Sequence, residues 1–572
     1  MNNRVFLLTC FILIISASSV SAQSMLVSNS RDWRDVYSVE LFGNLVGIDS
    51  MFLTGTKHAT IIHFSLPNSG VEIISSVDNP FVVGFDAILQ SRGIADVEEL
   101  SYDNVNLELA RRLTDVSKFV IIDDSYGYNA LAVAPFASMA GYYVLFADER
   151  NIGNVLDYLS EQTIDDMIIY GNVDRDVRSE LAVYNPEIIN LGDRFDNNIE
   201  IVKKYLELRP TKQTILSNGE FIEQSLLDGF DPVLFIGRTN VPDQIAEFIQ
   251  QSDIDIGILV GNELIGTATI IRRQVGISVF VKFAQGARTP GGAISPVEDL
   301  DKFPMPKYEL DFRIFSVFYN RATGFLEVTY RNNAELATYF KSTINIFSGE
   351  QLQIVGDEEP IFIDGEEFKT ILFELDALQE ENATAEFFTI FGESKKSLEF
   401  ALEGTFPIEF ITVLDDATIS ITDLYYDSGA KAFYVEIENT GPVEAYVNAE
   451  VLDVWVNGQL ITIGGDKIIL VKPGKSGKIK ASVELAEEDI NHRLNQEIEV
   501  KAFFGQREGA LVKVLKATFA LRVKKADLTQ YLLIVVVVIL LLLIFFKSKK
   551  CNACKHRNAI HKKNCAKCGA KL

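Results

Sequence analysis

Cysteine is missing from Gln23 to Lys550, so almost the entire chain has no disulfide to staple it and must fold on apolar cores alone. Histidine is scarce as well: of five in 572 residues, only His58, His63 and His492 precede the C-terminal tail. None of the three has a metal-binding spacing, and without a thiol this region lacks a cysteine nucleophile. Absent too are a Gly-x-Ser-x-Gly elbow, a phosphate-binding loop and a dinucleotide fingerprint. Positive charge is in deficit, with 53 Lys and Arg against 79 Asp and Glu and a net charge of −26. Apolar residues are plentiful at 48%, which excludes a disordered or fibrous chain. The length suits roughly three or four domains of about 100–200 residues.

Two apolar runs set the topology. Arg4, the apolar stretch 5–15 and Val20-Ser21-Ala22 before Gln23 have the charge, length and small-residue cleavage pattern of a secretory signal over residues 1–22. Near the other end, residues 528–546 read as a transmembrane helix, because 531–546 carry no charge and show no polar face. At 1.5 Å per residue the run spans about 28 Å, close to a hydrocarbon core. The tail 547–572 holds nine Lys or Arg and no Asp or Glu. Such a short basic flank stays in the cytoplasm. Without those nine and Arg4, the exported part has 43 basic and 79 acidic residues, about −36. The expectation is a single-pass cell-membrane protein with an extracellular ectodomain and a cytoplasmic C-terminus.

The ectodomain changes period along its length. In residues 23–286, apolar runs such as Phe119-Val-Ile-Ile122, Met167-Ile-Ile-Tyr170 and Ile256-Gly-Ile-Leu-Val260 alternate with helical segments, which predicts buried parallel strands in an α/β fold. Tyr143-Val-Leu-Phe-Ala147 matches Val233-Leu-Phe-Ile-Gly237, and Ile168-Ile-Tyr-Gly-Asn172 matches Ile258-Leu-Val-Gly-Asn262, both at an offset of 90. These read as two repeats, with 25–105 a degenerate partner unit. Residues 287–307 read as a linker, since Pro296, Pro304 and Pro306 stop regular elements. From 308 the period becomes two, which predicts antiparallel β-sandwiches over 308–410 and 415–524. These too repeat: Tyr319, Val328, Asn332 and Tyr339 align with Tyr426, Val435, Asn439 and Tyr446 at an offset of 107, and Gly349 and Gly365 align with Gly458 and Gly474 at 109.

The strongest chemical motif is Cys551-x2-Cys554-x10-Cys565-x2-Cys568. Each Cys-x-x-Cys turn sets two thiolates on one side of a knuckle, and two knuckles complete a tetrahedral shell for zinc. Gly569 suits a knuckle position that needs φ > 0. A ribbon this small has too little core to fold by burial, so metal binding supplies its folding free energy. His556 and His561 are surplus to a four-cysteine shell. Elsewhere, Asp123-Asp124 follows a predicted strand end, where α/β sheets bind ligands. Helix capping is the simpler role for the pair. His63, in Ile61-Ile-His-Phe64, reads as a strand residue.

Some segments carry a resemblance. Asn129-Ala-Leu-Ala-Val-Ala-Pro-Phe-Ala137, Tyr170-Gly171-Asn172 and Leu191-Gly-Asp-Arg-Phe195 follow the order of elements of the type 2 cell wall-binding repeat family of prokaryotic surface proteins, which the α/β region resembles over about 180 residues. The family usually has three repeats, and Asn129 and the Gly-Asn pairs depart from its Asp and Gly-Gly. The resemblance implies a head that holds anionic wall polymer. Residues 23–300, with 20 basic and 40 acidic side chains, repel a polyanion at long range. The strand-Asn-Thr-Gly pattern over 435–441 and Lys472-Pro-Gly474 resemble CARDB or immunoglobulin-like stalk domains.

The function expected from these readings is non-catalytic. An envelope-anchored protein holds a cell-envelope polymer or another surface protein with its α/β head, and its zinc ribbon meets a cytoplasmic protein rather than nucleic acid. The alternatives are a solute-binding sensor and a hydrolase that works through carboxylates such as Asp123 and Asp124.

Overall fold

Strands built from unbroken apolar runs have no face to give to solvent, and here they lie in parallel sheets covered by helices. The computed structural model describes residues 25–261, 264–282, 302–307, 309–378, 382–524, 548–559 and 562–572. The expected signal 1–22, the apolar run 528–546, most of the linker 287–307 and His561 lie outside the described residues. Among the described residues, no helix is long and apolar enough to cross a membrane. The chain divides between Leu414 and Asp415 into two units.

The first unit opens with three four-stranded parallel sheets of one design. The first holds β1 (Met25–Asn29), β2 (Asp49–Phe52), β3 (Ser69–Ser76) and β4 (Ala95–Tyr102), in the order β2-β1-β3-β4. β5 (Lys118–Ile122), β6 (Tyr142–Phe146), β7 (Asp166–Tyr170) and β8 (Glu187–Ile189) repeat it as β6-β5-β7-β8. In the third sheet, β10 (Phe221–Ile222) leaves the pattern, and β9 (Gln213–Ser217), β11 (Val233–Phe235), β12 (Ile256–Val260) and β13 (Ser278–Lys282) run β11-β9-β12-β13. There are therefore three copies, and residues 25–102 are a full one.

The helices show how the copies diverged. The first crossover is α1 (Trp33–Val46) in the first copy and α4 (Tyr128–Ala140) in the second. In the third copy, β10 and a 3-10 turn at Gln224–Leu226 take its place. The second crossover is a pair of 3-10 turns, His58–Thr60 and Ile62–Phe64, then α5 (Ile152–Ser160), then α8 (Asp243–Gln251). The third is α2 (Phe85–Ser91), α6 (Arg175–Leu181) and α9 (Ile265–Gln274). Between copies run α3 (Val105–Arg112) and α7 (Arg194–Leu208).

Equivalent side chains join neighbouring copies. Trp33 on α1 meets Phe146 at the end of β6 edge-on, with ring centroids 5.2 Å apart, and Tyr128 on α4 meets Phe235 of β11 at 6.3 Å. Asn106 on α3 donates to the Val144 carbonyl, and Asn198 on α7 donates to that of Val233, each at 2.9 Å. The third equivalent aromatic, Phe52 of β2, is met edge-on by Phe303 at 6.2 Å. The Asn44 amide also donates to the Leu227 carbonyl, and that of Gln224 to Ser50. The third copy thus closes back on the first, and one apolar core runs through all three. This corrects the end of the linker. Phe303–Pro304 pairs with β10, and Met305 is buried against Gly127, so 303–305 belong to the head.

Period-two patterning beyond residue 308 produces two sheets around one core. Phe312–Asn320, Phe325–Asn332, Phe368–Glu374 and Glu409–Ile411 form one sheet. Thr338–Ser348, Gln351–Gly356, Ile361–Ile363, Thr384–Gly392 and Phe400–Pro407 form the other. Pairing is antiparallel except at the closing edge, where Phe312–Asn320 and Glu409–Ile411 run parallel. The second unit repeats this plan from Ile419–Asp427 to Val523–Lys524, again with a parallel closing pair. Two buried asparagines mark the same corner in both. Asn332 donates to the Leu336 and Asp364 carbonyls and accepts from Ala334 N–H; Asn439 does the same with Val443, Val471 and Gly441.

Candidate functional site

Two short turns 14 residues apart build the cysteine centre. Lys555 N–H donates to the Cys551 carbonyl and Gly569 N–H to that of Cys565, each at 2.9 Å. Cys551 N–H reaches the His556 carbonyl at 2.9 Å, and Cys565 N–H that of Ala570 at 2.7 Å. The residue closing each knuckle is left-handed, Lys555 at φ 59° and Gly569 at φ 71°. Glycine meets that need at one knuckle, and a lysine accepts it at the other. Strands Ser548–Lys550 and Arg557–Ala559 pair beneath the first knuckle.

The four Sγ atoms lie within 4.8 Å of one another, with Cys551 and Cys568 3.6 Å apart and Cys554 and Cys565 3.5 Å apart. A tetrahedral sulfur shell at about 2.3 Å from a metal has edges of about 3.8 Å, so the donors fit a four-coordinate cation. Burial would raise the Cys565 thiol, but backbone N–H groups of Lys567 and Cys568 and the Asn558 amide outweigh it and bring it down to about 5. Cys568 accepts from Ala570 N–H, which lowers it, yet the neighbouring thiols Cys554 and Cys551 prevail and push it up to about 12. Four clustered thiols cannot all ionise without a cation among them. This cluster can hold a metal ion.

Asn558 was not singled out in the sequence. It is buried, donates to Cys565 Sγ at 3.4 Å and to the His556 carbonyl at 3.0 Å, and accepts from Ala566 N–H at 2.8 Å. It ties one knuckle to the other. A usable signal was its place four residues after Cys554 in a segment with almost no other buried side chain. The exposed His556 ring is not among the converging donors.

The aspartate pair has local work. Asp123 accepts from Ser125 N–H at 2.8 Å, and Asp124 pairs with Arg34 of α1, which also holds Asp32. Helix α4 begins after Gly127 without a side-chain cap, so neither aspartate caps it. The three histidines before the tail also have local contacts. His58 is buried and accepts from Thr54 N–H, and burial lowers its basicity. His63 lies in a 3-10 turn rather than a strand, with Nδ1 2.8 Å from Arg92. His492 stacks on Trp455 at 4.4 Å.

The segment Leu191-Gly-Asp-Arg-Phe195 does more than lead a helix. Asp193 caps α7 by accepting from Phe195 and Asp196 N–H, each at 2.9 Å. Arg194, stacked on the Tyr128 ring at 4.1 Å, pairs with Glu399 and lies 3.7 Å from Glu393, both from the first sandwich. Ser394 donates to Asp193, and Gln244 donates to Ser397. Burial pushes the Glu399 carboxyl up to about 7 despite Arg194. Head and first sandwich are therefore fastened by a buried polar joint.

No family model matches the chain, and no curated protein matches it. Among solved structures, the YadV chaperone is 11% identical over 37% of this chain and 100% of its own, with a TM-score of 0.14. A Porphyromonas gingivalis protein of unknown function is 8% identical over 38% and 99%, at 0.15, and Escherichia coli alpha-2-macroglobulin 10% identical over 42% and 24%, at 0.13. At such TM-scores these likenesses carry no argument.

Proposed function

We propose that this chain is a non-catalytic, membrane-anchored surface protein whose α/β head binds an envelope polymer and whose cytoplasmic tail is a zinc ribbon. The observation that carries the reading is the threefold repetition of one βαβ design with equivalent aromatic and asparagine contacts between copies. A ring of three such copies supports the resemblance to type 2 cell wall-binding repeats. Repeated modules of this kind suit repetitive ligands, since each copy offers an equivalent surface. Engagement of Asp124 by Arg34 and of Asp123 by its own turn favours binding over hydrolysis.

The two repeated sandwiches act as a stalk. In the tail, Cys551, Cys554, Cys565 and Cys568 hold zinc as a closed structural shell, with Asn558 orienting Cys565. Zinc supplies the folding free energy that so small a ribbon lacks. The exposed face of the ribbon then meets a cytoplasmic protein, while the basic flank holds the tail inside.

Co-sedimentation of the full-length protein, in detergent micelles, with native envelope material tests the head. Saturable binding is expected. Absence of binding, with or without divalent cations, would overturn the reading.

A further inference from the structure

Where the third copy lacks its first crossover helix, the ring has a gap. The C-terminal ends of α1 and α4 and the segment 223–230 surround a cleft of about 590 Å³ there, within the usual range of ligand sites. Neither helix carries a basic residue in its last turn, so their negative ends are uncompensated by their own side chains. Asp49, Glu223 and Asp228 line the cleft against Lys282 and Arg209. Arg209 is stacked over Phe230, at 5.8 Å.

Below the lining lies Glu40, one turn before Gly43 on α1 and only 1% exposed. Its Oε2 accepts from Ser50, which lines the cleft, at 2.7 Å. Its Oε1 has no hydrogen-bond partner among the described residues. Burial and the nearby Glu223 hold this carboxyl up at about 7. A second carboxylate–serine pair lines the same cleft. Glu223 accepts from Ser225, and this pair holds the Lys282 ammonium, which lies 3.0 Å from Ser225 Oγ. The two pairs are chemically alike; one has its ammonium and the other does not.

We propose that this cleft binds a primary ammonium group on a sugar-sized polar body, an amino sugar with a free amine, with Ser50 receiving the ammonium and Glu40 behind it supplying the counter-charge through their hydrogen bond. A hard divalent cation fits less well, because it needs six or more oxygens at short range, whereas Glu223 and Ser225 are already committed to the Lys282 ammonium. The exposed Phe230 ring, 64% accessible, offers an apolar face of the kind a sugar ring packs on. This rests on the polymer-binding reading and deepens it. The ligand carries positive charge, which removes the conflict between an acidic head and a polyanion.

The test is calorimetric titration of the full-length protein, at physiological ionic strength and pH 7.5, with the β-1,4 glucosamine disaccharide, its N-acetylated form and calcium alone. One site per chain is expected for the free amine. Loss of one charge-assisted hydrogen bond, worth about 1.5–3 kcal/mol, predicts about 10- to 100-fold weaker binding after N-acetylation or in Glu40→Gln. Asp228→Asn, on the rim and away from the core, is expected to weaken binding several-fold. It also keeps the test open if Glu40→Gln fails to fold. Equal binding of the acetylated sugar, unchanged binding by Asp228→Asn, saturable calcium binding, or no binding of the amine would overturn the assignment. If envelope material still sediments with the protein while the amine does not bind, this inference falls alone; if neither binds, both readings fall.

Discussion

Arg194 carries the buried charge of the joint between the head and the first sandwich. It neutralises Glu399, 3% exposed, and approaches Glu393, so truncation leaves two carboxyls in the joint without a cation. Breaking a buried pair from one side costs about 3–5 kcal/mol. Arg194→Ala is therefore expected to lower the unfolding free energy of the first unit by that amount. The loss should be greater at pH 8 than at pH 5, because stranded carboxyls escape part of the penalty by taking a proton. Chemical denaturation at the two pH values checks this, and equal losses would show that Arg194 acts through packing alone. Asn558 makes the same kind of argument in the tail. Partners that orient metal ligands typically contribute 10- to 100-fold in affinity. Asn558→Ala should weaken zinc binding by about that factor in competition with a chromophoric chelator, whereas Cys565→Ser should abolish four-coordinate binding.

At the scale of elements, the repeated sandwiches offer an internal control. Asn332 and Asn439 are both fully buried and make the same three hydrogen bonds, 107 residues apart. An alanine at either strands two carbonyls and one N–H, at about 1–3 kcal/mol for each group left unsatisfied. Both variants should lose several kcal/mol, and the two losses should agree closely when measured by thermal unfolding of the full chain. Unequal losses would mean that the corners bear different loads. That correspondence was legible from sequence because strand lengths and turns are conserved between the copies. The α/β copies were harder to see, since the first and the third each lack a different helix. The first replaces its second crossover with 3-10 turns around His58 and His63, and the third has no first crossover helix. An offset search sees aligned residues, whereas the conserved quantity is strand order. The cysteine cluster was legible because four thiols at knuckle spacing leave few alternatives. Glu40 was not, because a carboxylate on an amphipathic helix reads as solvent-facing until the third copy is placed beside it.

For the molecule as a whole, several carboxyls sit well above their ordinary range for the same reason. Burial pushes Asp35 up to about 6, Glu40 to about 7, Asp357 to about 6 and Glu399 to about 7. In the unfolded chain such groups ionise near pH 4. Between pH 4 and 7 the unfolded state therefore gives up protons that the folded state retains, and stability falls as pH rises until the folded groups ionise as well. For Glu40 alone, a displacement from 4.5 to about 7 corresponds to roughly 3 kcal/mol. Self-repulsion at a net charge of −26 acts in the same direction, since carboxylates lose charge on acidification. Carboxyls held low by partners, such as Asp148 beside Arg150 or Asp311 beside Arg313, oppose the trend only below their own ordinary range. The chain should thus melt at a higher temperature at pH 5 than at pH 8. Glu40→Gln should flatten part of that slope, because its side chain has no proton to lose. Salt separates the two causes: screening weakens surface repulsion while leaving buried carboxyls nearly untouched. A slope that disappears in 1 M salt would assign the effect to the surface, and one that persists but shrinks in Glu40→Gln would assign it to the ring's buried acids.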